Sequence, residues 1–210
     1  MSYTLSKATG LGSGNGDNPL AAEGFVPGSV DDLDFFVGPT TYDRRHALIT
    51  TFTYQVPFFR GDANLAEAVL GGWELSGKVR WQSGQYLTPT GNTSIGTRRA
   101  DYLGAEISLD SRDENEWFNT AAFAAAPEGR RGNAPIGLIE GPHWYQWDLS
   151  GRKNFNLPGR ATLQFRADVF NVFNRLNLNN PNVTVTAAEF GRISSARIPR
   201  QTQLSFRLSF

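Results

Sequence analysis

The sequence predicts an all-β fold, an antiparallel up-and-down meander of about six strands with long loops at one end. Three observations support this prediction. Apolar and polar residues alternate over several runs of about ten residues, which is the period of a strand with two unlike faces. Glycine (22) and proline (11) are abundant and mark turns between the runs. No apolar stretch approaches the roughly 18 residues of a membrane-spanning helix, which argues against helical spans.

The most informative stretch covers residues 144–173. Its first run, residues 145–155, places polar side chains on one parity and mainly apolar ones on the other. Its second run, residues 161–169, repeats this alternation. Residues 156–160 between them contain Pro158-Gly159, in which proline presets φ and glycine accepts a positive φ. The stretch is therefore interpreted as a β-hairpin with a tight turn.

Other strands are predicted before and after this hairpin. Residues 46–58 and 73–82 alternate clearly, and the former run ends at a proline. Residues 200–210 form the last strand, which ends on phenylalanine. Residues 3–7 alternate weakly and are interpreted as the tail of a strand that begins earlier. Together with the hairpin, these runs account for the predicted six strands.

The connections between the strands alternate in length, which gives the meander a polarity. In an up-and-down meander every second connection lies at the same end of the sheet. One end therefore carries long loops and the other carries short turns, as in outer-membrane barrels. In chain order the connections are residues 9–45 (long), 59–72 (short), 83–143 (long), 156–160 (very short) and 174–199 (long).

Several of these connections have features of their own. The loop at residues 9–45 carries an acidic trio, Asp31, Asp32 and Asp34, which is interpreted as a solvated surface rather than a cation site. Residues 64–70 predict one or two helical turns that end at a Gly-Gly pair. Residues 83–143 show no long strand and predict a functional surface loop. A short strand is expected at residues 183–185.

The amino-acid composition argues against several classes of partner and site. Lys plus Arg and Asp plus Glu number 20 each, so no basic excess indicates a nucleic-acid partner. The chain has no cysteine, which excludes disulfides and thiolate metal sites. No signal peptide is visible at the beginning of the sequence, so an outer-membrane protein would need further residues before it. The expectation is a partial barrel over residues 1–210.

Periodicity alone leaves two architectures open, a soluble β-sandwich and a membrane β-barrel, because both show alternating strands. The polarity of the connections favours the barrel. So does the near-complete restriction of charge to one parity, since a wet lumen accepts charge and lipid disfavours it. The predicted lumen-facing polar residues are Glu74, Lys78, Arg80, Asp148, Arg152, Arg166, Asp168 and Arg207.

The opposite parity is predicted to face lipid, with aromatic residues near strand ends as a membrane belt requires. Lys153 is an exception on this parity and is expected to extend its ammonium toward the headgroups near the short turn. The predicted lipid-facing or belt residues are Trp73, Trp81, Tyr145, Trp147, Phe155, Phe165 and Phe206.

Several motifs in order give the chain a family resemblance. They are the stretches at residues 70–77, 81–84 and 165–174, and the C-terminal Phe206-Arg207-Leu208-Ser209-Phe210. These resemble the last barrel strands of TonB-dependent outer-membrane receptors, and more narrowly the Oar-like group. Residues 3–7, 42–46, 117–123 and 132–134 fit the same group.

The resemblance implies a 22-stranded barrel closed by a plug domain, which imports a scarce bulky ligand with energy from the inner-membrane TonB complex. This chain would supply about six of those strands and the extracellular loops, while the plug and the TonB contact would lie in a missing N-terminal part. Its expected partners are outer-membrane lipid, an unknown extracellular ligand and the barrel-assembly machinery. That machinery would read the C-terminal signal of Leu204, Phe206, Leu208 and Phe210.

Little in the sequence indicates catalysis. His46 and His143 lie far apart, without metal-ligand spacing, and no hydrolase, phosphate-binding or zincin motif is present. No catalytic residue, metal or cofactor is therefore predicted. Asp148 and Arg152 on one strand are expected to pair across the hairpin with Arg166 and Asp168 on its neighbour, as a structural network in preference to a substrate site. A binding or adhesion barrel without transport, and an outer-membrane enzyme, stay as alternatives.

Overall fold

A computed structural model describes residues 1–11, 37–57, 69–93, 96–130 and 132–210. Fourteen strands lie in these segments. In chain order they are β1 (Ser2–Leu5), β2 (Thr9–Leu11), β3 (Val37–Pro39), β4 (His46–Gln55), β5 (Glu74–Gln82), β6 (Tyr86–Leu87), β7 (Thr90–Thr93), β8 (Gly96–Arg99), β9 (Asp101–Tyr102), β10 (Phe123–Ala124), β11 (Ile139–Glu140), β12 (Trp144–Asn156), β13 (Thr162–Phe170) and β14 (Gln201–Ser209).

The main sheet has six strands in the order β1-β4-β5-β12-β13-β14, and every neighbouring pair is antiparallel. The strands lie side by side in the order in which they occur along the chain. The predicted up-and-down meander is therefore confirmed. In this sheet, the five strands that follow β1 have nine to thirteen residues. That is the length of a tilted strand that crosses a bilayer.

The two ends of the sheet differ as the sequence predicts. The connections at residues 6–45, 83–143 and 171–200 begin and end at one end of the sheet, which we call the loop end. The short connections at residues 56–73 and 157–161 begin and end at the other, the turn end. In the turn between β12 and β13, Gly159 has a φ of 79° and Leu157 N–H donates to the Ala161 carbonyl at 2.8 Å. This is the conformation for which the Pro-Gly pair is suited.

The long connections at residues 83–143 and 171–200 pack into one unit, which we call the loop assembly. Three small two-stranded ladders, β6–β11, β7–β8 and β9–β10, occupy its first part. The second part joins the first where Thr90 N–H donates to Val183 O at 2.8 Å and Val185 N–H donates to Thr90 O at 2.6 Å. Within residues 183–185, Thr184 forms one isolated parallel bridge with Thr90 instead of the short strand that the sequence predicts. The two hydrogen bonds with Thr90 take the place of a ladder there.

The buried apolar core lies in the loop assembly. Phe118, Ala122, Phe123 and Ile139 are buried together, and Phe190 from the second connection packs edge-on against Phe118 with ring centroids 5.2 Å apart. The apolar face of the main sheet, in contrast, stays uncovered. This distribution is the reverse of a β-sandwich, in which the apolar sheet face is the core.

Two sequence predictions concern residues for which little structure is described. The acidic trio at residues 31–34 lies outside the described residues. Of the predicted helical turns at residues 64–70, only the last two residues are described, and both are helical. Within the described segments, no helix has the length and apolar character needed to cross a bilayer.

Candidate functional site

The charged residues predicted to line a lumen lie on one face of the main sheet, which we call the polar face. Strand register establishes this, because Glu74 pairs with Arg152, which pairs in turn with Arg166. The assignment of this face to a water-filled lumen stays a prediction. The other predicted members, Lys78, Arg80, Asp148, Asp168 and Arg207, share the face by the same registers.

Ion pairs connect the strands of the polar face. Arg80 Nη2 on β5 lies 3.1 Å from Asp148 Oδ2 on β12. Arg152 Nη2 on β12 lies 2.8 Å from Glu74 Oε2 on β5. The predicted pairing across the β12–β13 hairpin is therefore wrong, because β5 supplies the opposite charges to β12.

Across the hairpin itself, each side-chain hydrogen bond between the described residues includes at least one neutral group. Ser150 donates a hydrogen bond to Asp168, and Arg166 Nε lies 2.9 Å from Asp168 Oδ2 on the same strand. The register puts Ser150 opposite Asp168 and the two arginines Arg152 and Arg166 opposite each other. A cross-hairpin ion pair between directly opposed residues is thus not available.

The polar face carries more apolar residues than the sequence predicts. Strand β12 begins at Trp144 and strand β13 ends at Phe170, and both side chains share the parity of the polar residues. Ile49 on β4 pairs with Arg80 and lies on this face as well. Trp144 and Phe170 both stand at the loop end, where the polar face meets the loop assembly.

The predicted belt residues separate into two groups on the apolar face. Toward the turn end, Phe165 contacts both Trp73 and Phe206, with ring centroids 5.9 Å and 5.1 Å away. Toward the loop end, Tyr145 and Trp147 have centroids 6.4 Å apart. The remaining predicted belt residues, Trp81 and Phe155, lie at the loop end and the turn end respectively.

Lys153 does not extend outward as the sequence predicts. It is only 5% exposed, and its ammonium donates to the Gly71 carbonyl and lies 5.1 Å from the Phe155 ring centroid. The carbonyl comes from the short connection beside the turn end. The positive charge of Lys153 is therefore stabilised by groups of the protein. These contacts reduce the free-energy cost of placing a charge on an apolar face.

The four residues of the predicted assembly signal are exposed. Leu204, Phe206 and Leu208 alternate on the apolar face of the last strand, β14, and Phe206 is 67% exposed. Phe210 follows the strand and is fully exposed. Recognition of these residues by the assembly machinery stays a prediction.

The two histidines come together around one tryptophan. The ring centroids of His46 and His143 lie 6.1 Å and 6.5 Å from that of Trp81, and His46 Nδ1 lies 2.7 Å from the Tyr3 hydroxyl. Their surroundings are aromatic. Across the described part of the chain, no group of three or more His, Cys, Asp or Glu residues is arranged to hold a metal ion.

The loop assembly contains a cavity of about 410 Å³. Its lining residues include Trp117, Tyr102, Tyr86, Glu106 and Glu140. The Trp117 indole N–H donates to the Glu140 carbonyl at 2.8 Å, which fixes the ring. Such a concave surface of aromatic and charged groups is suited to a small polar ligand.

An ion pair connects residues 101 and 130 within the loop assembly. The Arg130 guanidinium hydrogen-bonds the Asp101 carboxylate, which also accepts from the Asn133 N–H at 3.2 Å. The Arg130 hydrogen bond holds the pKa of Asp101 below its ordinary value, although burial acts in the opposite direction. The carboxylate therefore stays ionised over a wide pH range.

A second cavity, of about 420 Å³, lies at the loop end of the polar face, and we call it the loop-end pocket. It is lined by the strand residues Trp144, Gln146, Phe170 and Gln201 and by loop residues 197–199. This site is not predicted from the sequence. The shared parity of Trp144 and Gln146 was the available signal, but no local pattern brings residues 197–199 to them.

Taken together, the sheet and its loops define a class of protein. A meander with a charged ion-paired face, an uncovered apolar face with aromatic rings toward both ends, and long loops at one end is characteristic of outer-membrane β-barrels. A family model described as an outer membrane beta barrel domain matches residues 1–203, and the chain belongs to this family in the outer membrane. No curated protein and no solved structure matches the chain significantly.

Proposed function

We propose that this chain is part of a TonB-dependent outer-membrane receptor that imports a scarce bulky ligand. In this proposal the main sheet supplies barrel wall, the polar face lines the lumen and the loop assembly receives the ligand outside the cell. The energy would come from the TonB complex through a plug domain elsewhere in the gene product. The proposal gives the chain no enzymatic role.

The loop assembly is the observation that carries the proposal. A barrel that serves only as a passive wall does not need loops with a buried core of their own, yet Phe118, Phe123 and Phe190 form such a core. Backbone hydrogen bonds between Thr90 and residues 183–185 join the two connections. Ordered loops hold binding groups in place, which lowers the entropic cost of ligand capture.

The uncovered apolar face supports the same architecture. Its exposed side chains, such as Leu75 and Phe206, have no protein partner of sufficient area among the described residues and fit a lipid contact. A soluble β-sandwich would bury this face against a second sheet. The sandwich alternative is therefore not retained.

Energy coupling distinguishes the proposal from its alternative, a binding or adhesion barrel that does not transport. Cells with and without the full gene, each with active or inactivated TonB, are supplied with a protein hydrolysate, and depletion of its components is followed by mass spectrometry. We expect components that are removed only by cells with both the gene and active TonB. Depletion that persists without TonB contradicts the proposal, as does the absence of any gene-dependent depletion.

The absence of gene-dependent depletion alone would leave the binding alternative. Retention of hydrolysate components on the cell surface, measured on washed cells in the cold, tests it directly. Gene-dependent retention without depletion favours a binding or adhesion barrel, because capture by the loop assembly does not require energy.

A further inference from the structure

The chain segment that follows strand β13 carries exposed apolar side chains at the loop end of the apolar face. We call residues 171–176 the Asn171 turn. Phe173 is 68% exposed, and its ring packs edge-on against Trp147 with ring centroids 5.5 Å apart. Leu176, the second large apolar side chain of the turn, is 69% exposed. Trp147 lies on the apolar face, where it pairs with Val79, so Phe173 continues that face beyond the end of β13.

The asparagines of the Asn171 turn fix its conformation. The Asn171 side chain is buried, accepts the Arg175 N–H and donates to the Arg175 carbonyl, both at 2.9 Å. The Asn171 N–H donates to Asp148 Oδ1 at 3.1 Å, which connects the turn to strand β12. Asn171 and Asn174 have φ values of 51° and 50°, a left-handed region that asparagine adopts more readily than most residues. The position of Phe173 is therefore determined by its own turn.

Two arginines are attached to the same turn. The Arg175 Cζ lies 5.3 Å from the centroid of the Tyr145 ring on the apolar face, which is within the range of cation–π contacts. The Arg200 N–H donates to Asn174 Oδ1 at 3.0 Å, and the Arg200 guanidinium donates to the Val172 carbonyl at 3.5 Å. Both arginines are exposed, and no carboxylate of the described residues forms an ion pair with either of them. The turn therefore presents two positive charges that the described chain does not neutralise.

An exposed apolar ring between two such cations matches the boundary between the hydrocarbon and the headgroups of a membrane. Contact with water alone would leave the Phe173 ring unfavourably hydrated, and burial in a protein interface would desolvate two guanidinium groups. At the edge of a lipid contact, the ring reaches acyl chains while the long arginine side chains reach the headgroups. The anionic group of these headgroups is phosphate, to which guanidinium donates charge-assisted hydrogen bonds.

We propose that the Asn171 turn binds the phosphate headgroup of an anionic membrane lipid. Arg175 and Arg200 donate to the phosphate, and Phe173 packs against the adjacent acyl chain. Tyr145 and Trp147 form the part of this site that lies on the sheet. The proposal goes beyond ligand import, because contact with the membrane at this turn requires neither TonB nor a ligand in the loop assembly.

Photo-crosslinking tests whether Phe173 contacts lipid. The photoreactive residue p-benzoylphenylalanine replaces either Phe173 or Ile198 in the full gene product, which is placed in nanodiscs of equal amounts of phosphatidylcholine and phosphatidylglycerol. Ile198 is the matched control, because it is also 68% exposed but lines the loop-end pocket on the polar face. We expect lipid adducts, measured by mass spectrometry, to be several-fold more abundant at position 173. Equal yields at the two positions, or crosslinks from position 173 to protein in place of lipid, would overturn the proposal.

The lipid composition of the adducts at position 173 tests the two arginines. The choline of phosphatidylcholine neutralises its phosphate, whereas phosphatidylglycerol keeps a net negative charge. With both arginines present, phosphatidylglycerol should exceed its share of the bilayer by about fivefold or more, the usual effect of a basic residue near an anionic membrane surface. Arg175→Gln combined with Arg200→Gln should return the adducts to the composition of the bilayer. An excess that is absent with both arginines present, or that persists in the double variant, would overturn the proposal.

Two further variants separate the charge from its position. Arg175→Lys keeps the positive charge at the turn and should keep most of the phosphatidylglycerol excess. Arg207→Gln removes a positive charge from the polar face near the turn end and should leave the excess unchanged. Loss of the excess in Arg207→Gln would contradict the proposal, because it would assign the preference to the overall charge of the protein. Gel mobility before heating shows that each variant is folded.

Discussion

The Arg152 guanidinium lies 2.8 Å from the Glu74 carboxylate, although the strand register places Arg152 directly opposite Arg166. Like charges that face each other across a strand pair are unfavourable. The pairing with Glu74 draws one arginine toward β5, and Arg166 turns to Asp168 on its own strand. The charges of the polar face are therefore arranged so that each of these two arginines has its own carboxylate.

Two substitutions on this face should differ in effect. Asp148 accepts hydrogen bonds from Arg80, Gln146 and the Asn171 N–H, so Asp148→Asn should lower the free energy of unfolding by about 1–3 kcal/mol. Among the described residues, Arg152 alone donates to the Glu74 carboxylate, and Arg152 is half-exposed, so Glu74→Gln should cost less than about 1 kcal/mol. Urea denaturation of the full gene product in lipid, followed by gel mobility, measures both. Equal losses would show that the additional partners of Asp148 do not contribute.

The base of the loop assembly depends on a close approach of two glycines. A Cβ on Gly84 would overlap the carbonyl of Gly141, next to the point where Gly141 N–H donates to Gln85 O at 2.8 Å. Because a backbone atom cannot move aside as a side chain can, Gly84→Ala should open residues 83–143. Limited proteolysis on intact cells should detect new cleavage there. Gly151→Ala, in the sheet with ordinary contact distances, is the control and should leave the digestion pattern unchanged.

The main sheet was predictable from the sequence because strand alternation is a local pattern. Each run from residue 46 onward needs only its own residues to show two unlike faces, and the Pro158-Gly159 turn fixes the hairpin register. The alternation of polar and apolar residues does not continue to the loop ends of β12 and β13. Trp144 and Phe170 extend β12 and β13 by one residue at the loop end, and there the polar parity carries aromatic rings.

The loop assembly could not be predicted, since its contacts join distant residues without a periodic signature. Thr90 meets residues 183–185, and Phe118 meets Phe190, across separations that no window of sequence covers. The prediction of ion-pair partners on the polar face was wrong for a related reason. Parity predicts which residues share a face, but the partner of Arg152 depends on which neighbouring strand supplies the nearer carboxylate.

The Asp101–Arg130 pair should make the loop assembly sensitive to acid. The pKa of Asp101 is lowered in the folded state, so its contribution to stability is complete above the ordinary pKa of 3.8 and is lost as the pH falls through the lowered value. The hydrogen-exchange protection factors of residues 97–134, which correct for the intrinsic slowing of amide exchange in acid, should therefore fall below about pH 4. Asp101→Asn should show lower protection factors already at pH 7 and little further change on acidification. Identical profiles for the two proteins would contradict this assignment.

Phe210 should affect assembly without affecting stability. Its side chain is fully exposed, so Phe210→Ala removes no buried contact within the described chain. If the barrel-assembly machinery reads this residue, the substitution should reduce the amount of folded protein in the outer membrane several-fold. The urea midpoint of the protein that does fold should not change. A lowered midpoint would indicate a structural role, and normal levels in the membrane would contradict a role in recognition.

The assignment of the two faces is tested by two neighbouring residues on β14. Leu204 lies on the apolar face opposite Ala167 and is 60% exposed, while Gln203 lies on the polar face opposite Asp168. Leu204→Arg would place a charge in lipid and should lower the free energy of unfolding in bilayers by about 2–4 kcal/mol if the residue lies near the midplane. Gln203→Arg adds the same side chain on the other face, beside a carboxylate, and should be tolerated. Both variants add one arginine to the same strand. A difference between their urea midpoints therefore depends on which face of the sheet carries the arginine and not on the added charge itself. The reverse order, with Gln203→Arg the more damaging, would show that the charged face does not enclose water.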